Sequence, residues 1–183
     1  MIRHLGLKAY GKINLGLDVL KKREDGYHEV RMIMQTVGLY DKIDLYLKET
    51  PGITVQTNLY YLPVNENNLV YKAAKLLMDE FHINHGVTIH LKKFIPVSAG
   101  MAGGSSDAAA VLFGVNKMFN LGLSMEALME RGVKIGADVP YCVMRGTALS
   151  EGIGEILTPL PPIPQCQILI AKPGISVSTK FVY

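Results

Sequence analysis

Pro96-Val97-Ser98-Ala99-Gly100-Met101-Ala102-Gly103-Gly104-Ser105-Ser106-Asp107 runs without a break into Ala108-Ala109-Ala110-Val111-Leu112. Glycine has no Cβ, so a backbone this rich in it can approach an anion closely and aim successive N–H groups at it. The alanine-rich run behind it favours a helix, and Ser with Asp at its head reads as the N-terminal cap. A helix start carries about half a positive charge. Loop and helix together therefore predict a phosphate cradle built from Pro96, Gly100, Met101, Ala102, Gly103, Gly104, Ser105 and Ser106, the two serine hydroxyls being within reach of phosphate. The plainer alternative is a flexible loop ahead of a capped helix, and spacing alone does not identify the nucleotide.

Upstream of this loop the chain alternates with a period of two. Leu15, Leu17 and Val19 share one face, as do Ile43, Leu45 and Leu47, and then Val87, Ile89 and Leu91, which predicts half-buried strands. Between them, Asn67-Asn68 precede Leu69, Ala73, Leu76, Leu77 and Phe81, an apolar stripe on a helix capped by Asn and ending near His82. Downstream, a short helix over Ser124 to Ile135 follows the turn at Asn120-Leu121-Gly122. Asp138-Val139-Pro140 is then expected to return the chain to strands at Tyr141 to Met144 and Gln167 to Ala171. Strands, helix, strand, loop, two helices and strands make an α+β fold, a mixed sheet packed with helices, rather than a doubly wound one.

The chain has 183 residues, of which 49% are hydrophobic and 19% charged. That is one compact domain, not a disordered or fibrous chain. A net charge of +3, with no basic stripe carrying aromatics, argues against nucleic acid. Lys21-Lys22-Arg23 is followed at once by Glu24-Asp25 and reads as a solvated turn. No apolar stretch is long enough for a bilayer, and the N-terminus lacks an export signal, so a cytoplasmic protein with no membrane partner is expected. Cys142 and Cys166 fit small buried hydrophobes in a reducing compartment. Gly6-Leu7-Lys8-Ala9-Tyr10-Gly11-Lys12-Ile13 has the spacing of a P-loop but puts Ile13 where Ser or Thr must stand, and continues as a strand, so that reading fails. His82 and His85 lack further ligands at zinc spacing, and no protein metal site is expected.

The sequence resembles the GHMP kinase superfamily in segments that follow the family's order. They are Ala9-Tyr10-Gly11-Lys12-Ile13-Asn14-Leu15, Arg23-Glu24-Asp25-Gly26-Tyr27-His28-Glu29-Val30, the glycine loop, and Ile135-Gly136-Ala137-Asp138-Val139-Pro140. The Asp-Gly-Tyr-His segment is similar to the branch that recognises cytidine, as is the stretch from Thr147 to Thr158. The resemblance implies the fold of the family's N-terminal ATP-binding domain, which is like that of a ribosomal protein, over residues 1–183. A second α+β domain would follow it in other members. It also implies ATP with Mg²⁺ as cofactors and phosphorylation of a hydroxyl on a small, cytidine-diphosphate-linked sugar alcohol in isoprenoid precursor synthesis.

Residue by residue, the resemblance makes Asp138 the group acting on the substrate hydroxyl and Lys12 its charged partner. The bland readings are a turn aspartate that caps backbone N–H groups and a solvated strand lysine. Asn14 would fix the substrate near this pair. Tyr27 and His28 would stack on the pyrimidine and bond its edge, with Tyr183 on its other face. Asn68 would line the adenine pocket, although a helix cap already explains it. Ala102 stands where many members have Gly and would be strained at a positive φ. Other acceptors within the superfamily, or a catalytically silent nucleotide-binding fragment, are the competing readings. An apolar face left without its second domain predicts a homodimer or poor solubility.

Overall fold

The computed structural model describes residues 1–24 and 26–174. Two long strands, β1 (His4–Lys22) and β2 (His28–Lys48), form an antiparallel hairpin closed by a turn in which the Arg23 N–H donates to Tyr27 O at 2.8 Å. β3 (Gly52–Thr57), helix α1 (Leu69–Glu80) and β4 (Gly86–Lys92) follow. Helices α2 (Gly103–Phe119), α3 (Met125–Val133) and α4 (Val139–Met144) come next, and β5 (Thr147–Glu151) and β6 (Ile156–Leu160) close the order. The sheet runs β3-β4-β2-β5-β6 with β1 beside β2, and only the β3–β4 pair is parallel. This is the expected α+β class.

The alternating residues Ile43, Leu45, Val87, Ile89 and Leu91 are buried, and α2 packs against β1 and β2 with α1 beside it. Gly114 sets the closeness of that contact. A Cβ there would come within 2.4 Å of Leu45 Cδ1 and 2.7 Å of Leu7 Cδ1. α1 begins as expected, with Asn68 Oδ1 accepting from Val70 N at 3.1 Å, and α3 is capped by Ser124, whose Oγ accepts from Ala127 N at 3.2 Å. No helix among the described residues is long and apolar enough to cross a membrane.

The structure corrects five local expectations. Tyr141 to Met144 lie in α4, not a strand, because a short apolar run has no decisive period and Pro140 in the first turn starts a helix readily. Gln167 to Ala171 form no strand and are mostly exposed, Leu169 by 96%. Leu15, Leu17 and Val19 are in a strand but are exposed, since the buried residues of β1 end at Lys12. Ser105, Ser106 and Asp107 lie inside α2 rather than capping it; the N-cap is Ala102. Cys142 is buried, whereas Cys166 is exposed. Three strands, β3, β5 and β6, carry too few alternating residues to stand out in the sequence. The P-loop-like Gly6 to Ile13 segment lies within β1.

Candidate active site

A β-bulge builds the first part of the site. The register of β1 against β2 shifts between Tyr10 and Lys12, leaving Gly11 on β1 and Val37, Gly38 and Leu39 on β2 out of the pairing. The glycine loop binds the groups on either side of Gly11. Met101 O accepts from the Lys12 N–H at 3.0 Å, and Ser106 Oγ donates to Tyr10 O at 2.6 Å. Lys12 is buried although charged, and its Nζ donates to Asn14 Oδ1 at 3.1 Å.

The loop itself ends in a strained residue. Ala102, the N-cap of α2, has φ 52 and ψ 31, the left-handed conformation that glycine adopts most readily. Gly103 follows directly above Lys93; a Cβ there would lie 3.1 Å from Lys93 Nζ. Two cavities open on the two sides of this loop. One, of about 370 Å³, is lined by Pro96 to Ser105 together with Asn67, Asn68, Lys93 and Asp107. The other, of about 680 Å³, is lined by Lys12, Asn14, Tyr27, His28 and Asp138 among others. Gly100, Ala102 and Ser105 belong to both walls.

Asp138 precedes α4 and makes no side-chain cap bond, so its carboxylate is not spent on the local backbone, as the bland reading would have it. Tyr141, on the same helix, fixes the far end. Its hydroxyl donates to Gly146 O at 2.7 Å and lies 3.1 Å from Thr36 Oγ1, and burial pushes its pKa up to about 12. Cys142, also on α4, is buried. Burial pushes its thiol well up, the Asp138 charge adds to the rise and Lys12 opposes it, so the thiol stays protonated and inert.

Of the residues singled out in the sequence, the first cavity gathers Pro96, Gly100, Met101, Ala102, Gly103, Gly104, Ser105 and Asn68. Ser106 lines neither cavity; its hydroxyl is used on Tyr10. The Asn68 amide is likewise engaged, its Nδ2 donating to Pro63 O at 2.7 Å while Oδ1 caps α1. Tyr183 lies outside the described residues.

Residues 68–146 match the family described as GHMP kinases N terminal domain. This stretch of the chain is similar to that family's N-terminal domain. The chain is 65% identical, over 98% of its length, to the 4-diphosphocytidyl-2-C-methyl-D-erythritol kinase of Lachnoclostridium phytofermentans, and 62% identical over 97% to that of Lachnospira eligens. It spans 62% of the length of each of these relatives. A crystal structure of 4-(cytidine 5'-diphospho)-2C-methyl-D-erythritol kinase superposes with a TM-score of 0.72 at 36% identity, over 85% of this chain and 55% of that one.

Sequence reasoning missed one part of this site, a buried ionic cluster under the loop. Lys93 Nζ pairs with Asp41 and, at 2.6 Å, with Asp107. Asp41 is fully buried, and its Oδ1 also accepts from the N–H groups of Phe94 and Ile95. The available signal was a charge at the head of an apolar run: Asp107 sits in the second turn of a helix whose next five residues are all core. Among the described residues no group of three His, Cys, Asp or Glu side chains converges as a metal site.

Proposed function

We propose that this chain is the nucleotide-binding part, over residues 1–183, of a kinase that transfers phosphate from ATP to the 2-hydroxyl of 4-diphosphocytidyl-2-C-methyl-D-erythritol. The observation that carries the reading is the shared wall. A phosphoryl group moving in line between donor and acceptor must have both on either side of one anion-binding element. Here Gly100, Ala102 and Ser105 face the loop cavity on one side and the Lys12–Asp138 cleft on the other. ATP would lie with its phosphates along Gly100 to Ser105 and the adenine toward Asn67 and Asn68.

In the second cleft, Asp138 accepts the proton of the attacking hydroxyl, and Lys12, oriented by Asn14, offsets the charge that develops on that oxygen. Tyr27 and His28, which line the same cleft, would offer a ring face and an edge for cytosine. This is what separates the reading from family members whose acceptors carry no base. Mg²⁺ supplies charge neutralisation between the phosphates in such reactions. It is read as arriving with the nucleotide. The identity of the relatives, 65% and 62%, supports the substrate.

The test is phosphate transfer from ATP to the cytidine-linked acceptor, by this chain and by a chain extended to the relatives' length, with mevalonate and homoserine as alternative acceptors. Calorimetric binding of cytidine diphosphate to the chain accompanies it. The reading predicts cytidine diphosphate binding that Tyr27→Ala weakens. Transfer to mevalonate or homoserine in preference to the cytidine-linked acceptor would replace the substrate. Nucleotide binding without transfer by either chain would favour the silent alternative.

A further inference from the structure

The helices pack on the face of the sheet that holds Ile43, Leu45, Ile89 and Leu91, and the alternate residues of the same strands point the other way, exposed or half-buried. On that outer face the register sets Lys8 opposite Lys42 and Lys42 opposite Lys92, so three exposed lysines stand in one row across β1, β2 and β4. Neighbouring strands are about 4.7–4.9 Å apart, and like charges directly opposite repel. No carboxylate relieves the row. Among the described residues none of the three forms an ion pair, and the one acid facing outward from these strands, Asp44, bonds His4 Nε2 at 2.8 Å. Rings hold the ammonium groups instead: Lys8 Nζ lies 4.6 Å from the centre of the Tyr40 ring, and Lys42 and Lys92 lie 5.9 and 5.7 Å from that of Phe94. Arg145 adds a fourth cation, 5.3 Å over the Tyr10 ring, which pairs in register with Tyr40. On the other side of the row, beyond Asp44, His4 stacks on Tyr46 with ring centres 4.5 Å apart, and Tyr46 meets His90 at 4.9 Å.

We infer that this face binds single-stranded nucleic acid, the lysine row taking phosphates and the flanking rings, Tyr46 and Phe94 above all, taking bases. Cations without acids, bordered on both sides by rings, match a chain in which phosphates and π-faces alternate. A duplex would keep its bases stacked on each other and away from the rings. A lipid surface calls for aliphatic side chains, and the outward residues from His4 to Tyr10, Tyr40 to Lys48 and Thr88 to Lys92 include none. An acidic protein would neutralise the lysines and leave the rings idle. The sequence shows no basic stripe with aromatics because this stripe runs across the strands, its members meeting only through register. None of its residues lines either cavity of the candidate active site, so the inference stands apart from the kinase reading.

The experiment measures binding of a fluorescent oligouridylate of about 12 nucleotides by anisotropy, with and without excess ADP. Wild-type affinity should fall about 20- to 50-fold between about 50 and 200 mM salt, for three or four phosphates held. Lys42→Gln should flatten the log–log salt slope by about 0.7. Its Tm should stay level or rise, because the change relieves repulsion within the row, so weaker binding cannot be put down to unfolding. Tyr46→Leu and Phe94→Leu should each weaken binding about tenfold at an unchanged slope. Polyglutamate of matched charge should bind more weakly and ignore both ring variants. A chain extended to the relatives' length should bind the oligouridylate as this one does. The inference is overturned by an absence of saturable binding at low salt, by polyglutamate binding as tightly as the oligouridylate, or by loss of binding in the extended chain. Displacement by ADP would put the oligouridylate in the nucleotide cleft and overturn it as well, while leaving the kinase reading intact.

Discussion

Ser106 Oγ donates to Tyr10 O at 2.6 Å, tying together residues 96 positions apart in the chain. The register shift leaves Gly11 unpaired next to Tyr10, and the N–H of Lys12 beyond it goes to Met101 O. The lysine of one cleft is thereby held in register with the loop that walls both. Ser106→Ala should lower stability by about 1 kcal/mol and turnover by up to about 10²-fold, since small misplacements of a reacting group are costly. Nucleotide affinity should stay unchanged, because Ser106 lines neither cavity. Thermal unfolding, single-turnover rates and calorimetry check the three parts.

Ala102→Gly isolates the strain in the loop. A non-glycine residue in the left-handed region costs about 1–2 kcal/mol, against roughly 0.5–1 kcal/mol for the extra freedom glycine gives the unfolded chain. The variant should therefore gain up to about 1 kcal/mol, raising Tm by about 2–4 °C for a domain of this size. Ala102→Val should lose stability, because a β-branched side chain tolerates φ 52 worst of all. A drop in Tm for the glycine variant would show that the loop is not strained there.

Gly114→Ala should be destabilising even though alanine is the better helix former. The added methyl would meet Leu45 and Leu7 at 2.4 and 2.7 Å, and Leu45 is fully buried in the close-packed core. Overpacking of this kind costs about 1–3 kcal/mol, against a gain in helix propensity of about 1 kcal/mol. Chemical denaturation should show a lower midpoint with an unchanged slope.

What the sequence disclosed of these features depends on how local their physics is. The Asn68 and Ser124 caps and the alternation of β4 are set by neighbours in the chain, so they could be read directly. The glycine loop could also be read, because a cradle for phosphate needs that composition wherever it sits. The helix at Val139–Met144 was hidden because its six residues are all apolar and no period can show in them. The pairing of Lys93 with Asp41 and Asp107 spans 52 and 14 positions and depends on burial, which only the packed sheet and helix create. Asp107 looked like a cap because a cap and a buried acid have the same local sequence. Its place inside α2 follows from Ala102 taking the left-handed turn before it.

Asp138→Asn and Lys12→Met test the second cleft together. A positioned base contributes about 10²–10⁴-fold, so Asp138→Asn should lower turnover by that factor while leaving ADP affinity and Tm near those of the wild type. The neutral amide keeps the shape of the side chain, and Asp138 makes no cap bond to lose. Lys12→Met removes a buried ammonium and leaves Asn14 without its donor, so it should lower turnover and also shift stability. If the two groups act on one oxygen, the double variant should be little slower than the worse single one. Fully multiplicative losses would separate their roles.

Burial of the Asp107 acid sets a pH dependence of folding. Its pKa is about 8 in the folded chain and near the ordinary carboxyl value of about 3.9 when unfolded, so between these values the folded state holds a proton that the unfolded state has released. Stability from this group is therefore fully present below pH 4 and is lost progressively as pH rises through 8, the opposite of the usual salt-bridged carboxylate. Asp107→Asn removes the titrating proton while keeping an acceptor for Lys93. Its Tm should fall less than that of the wild type between pH 6 and 9. Parallel curves for the two proteins, measured by calorimetric unfolding in buffers of matched ionic strength, would mean that Asp107 is ionised in the folded state and that Lys93 neutralises both acids.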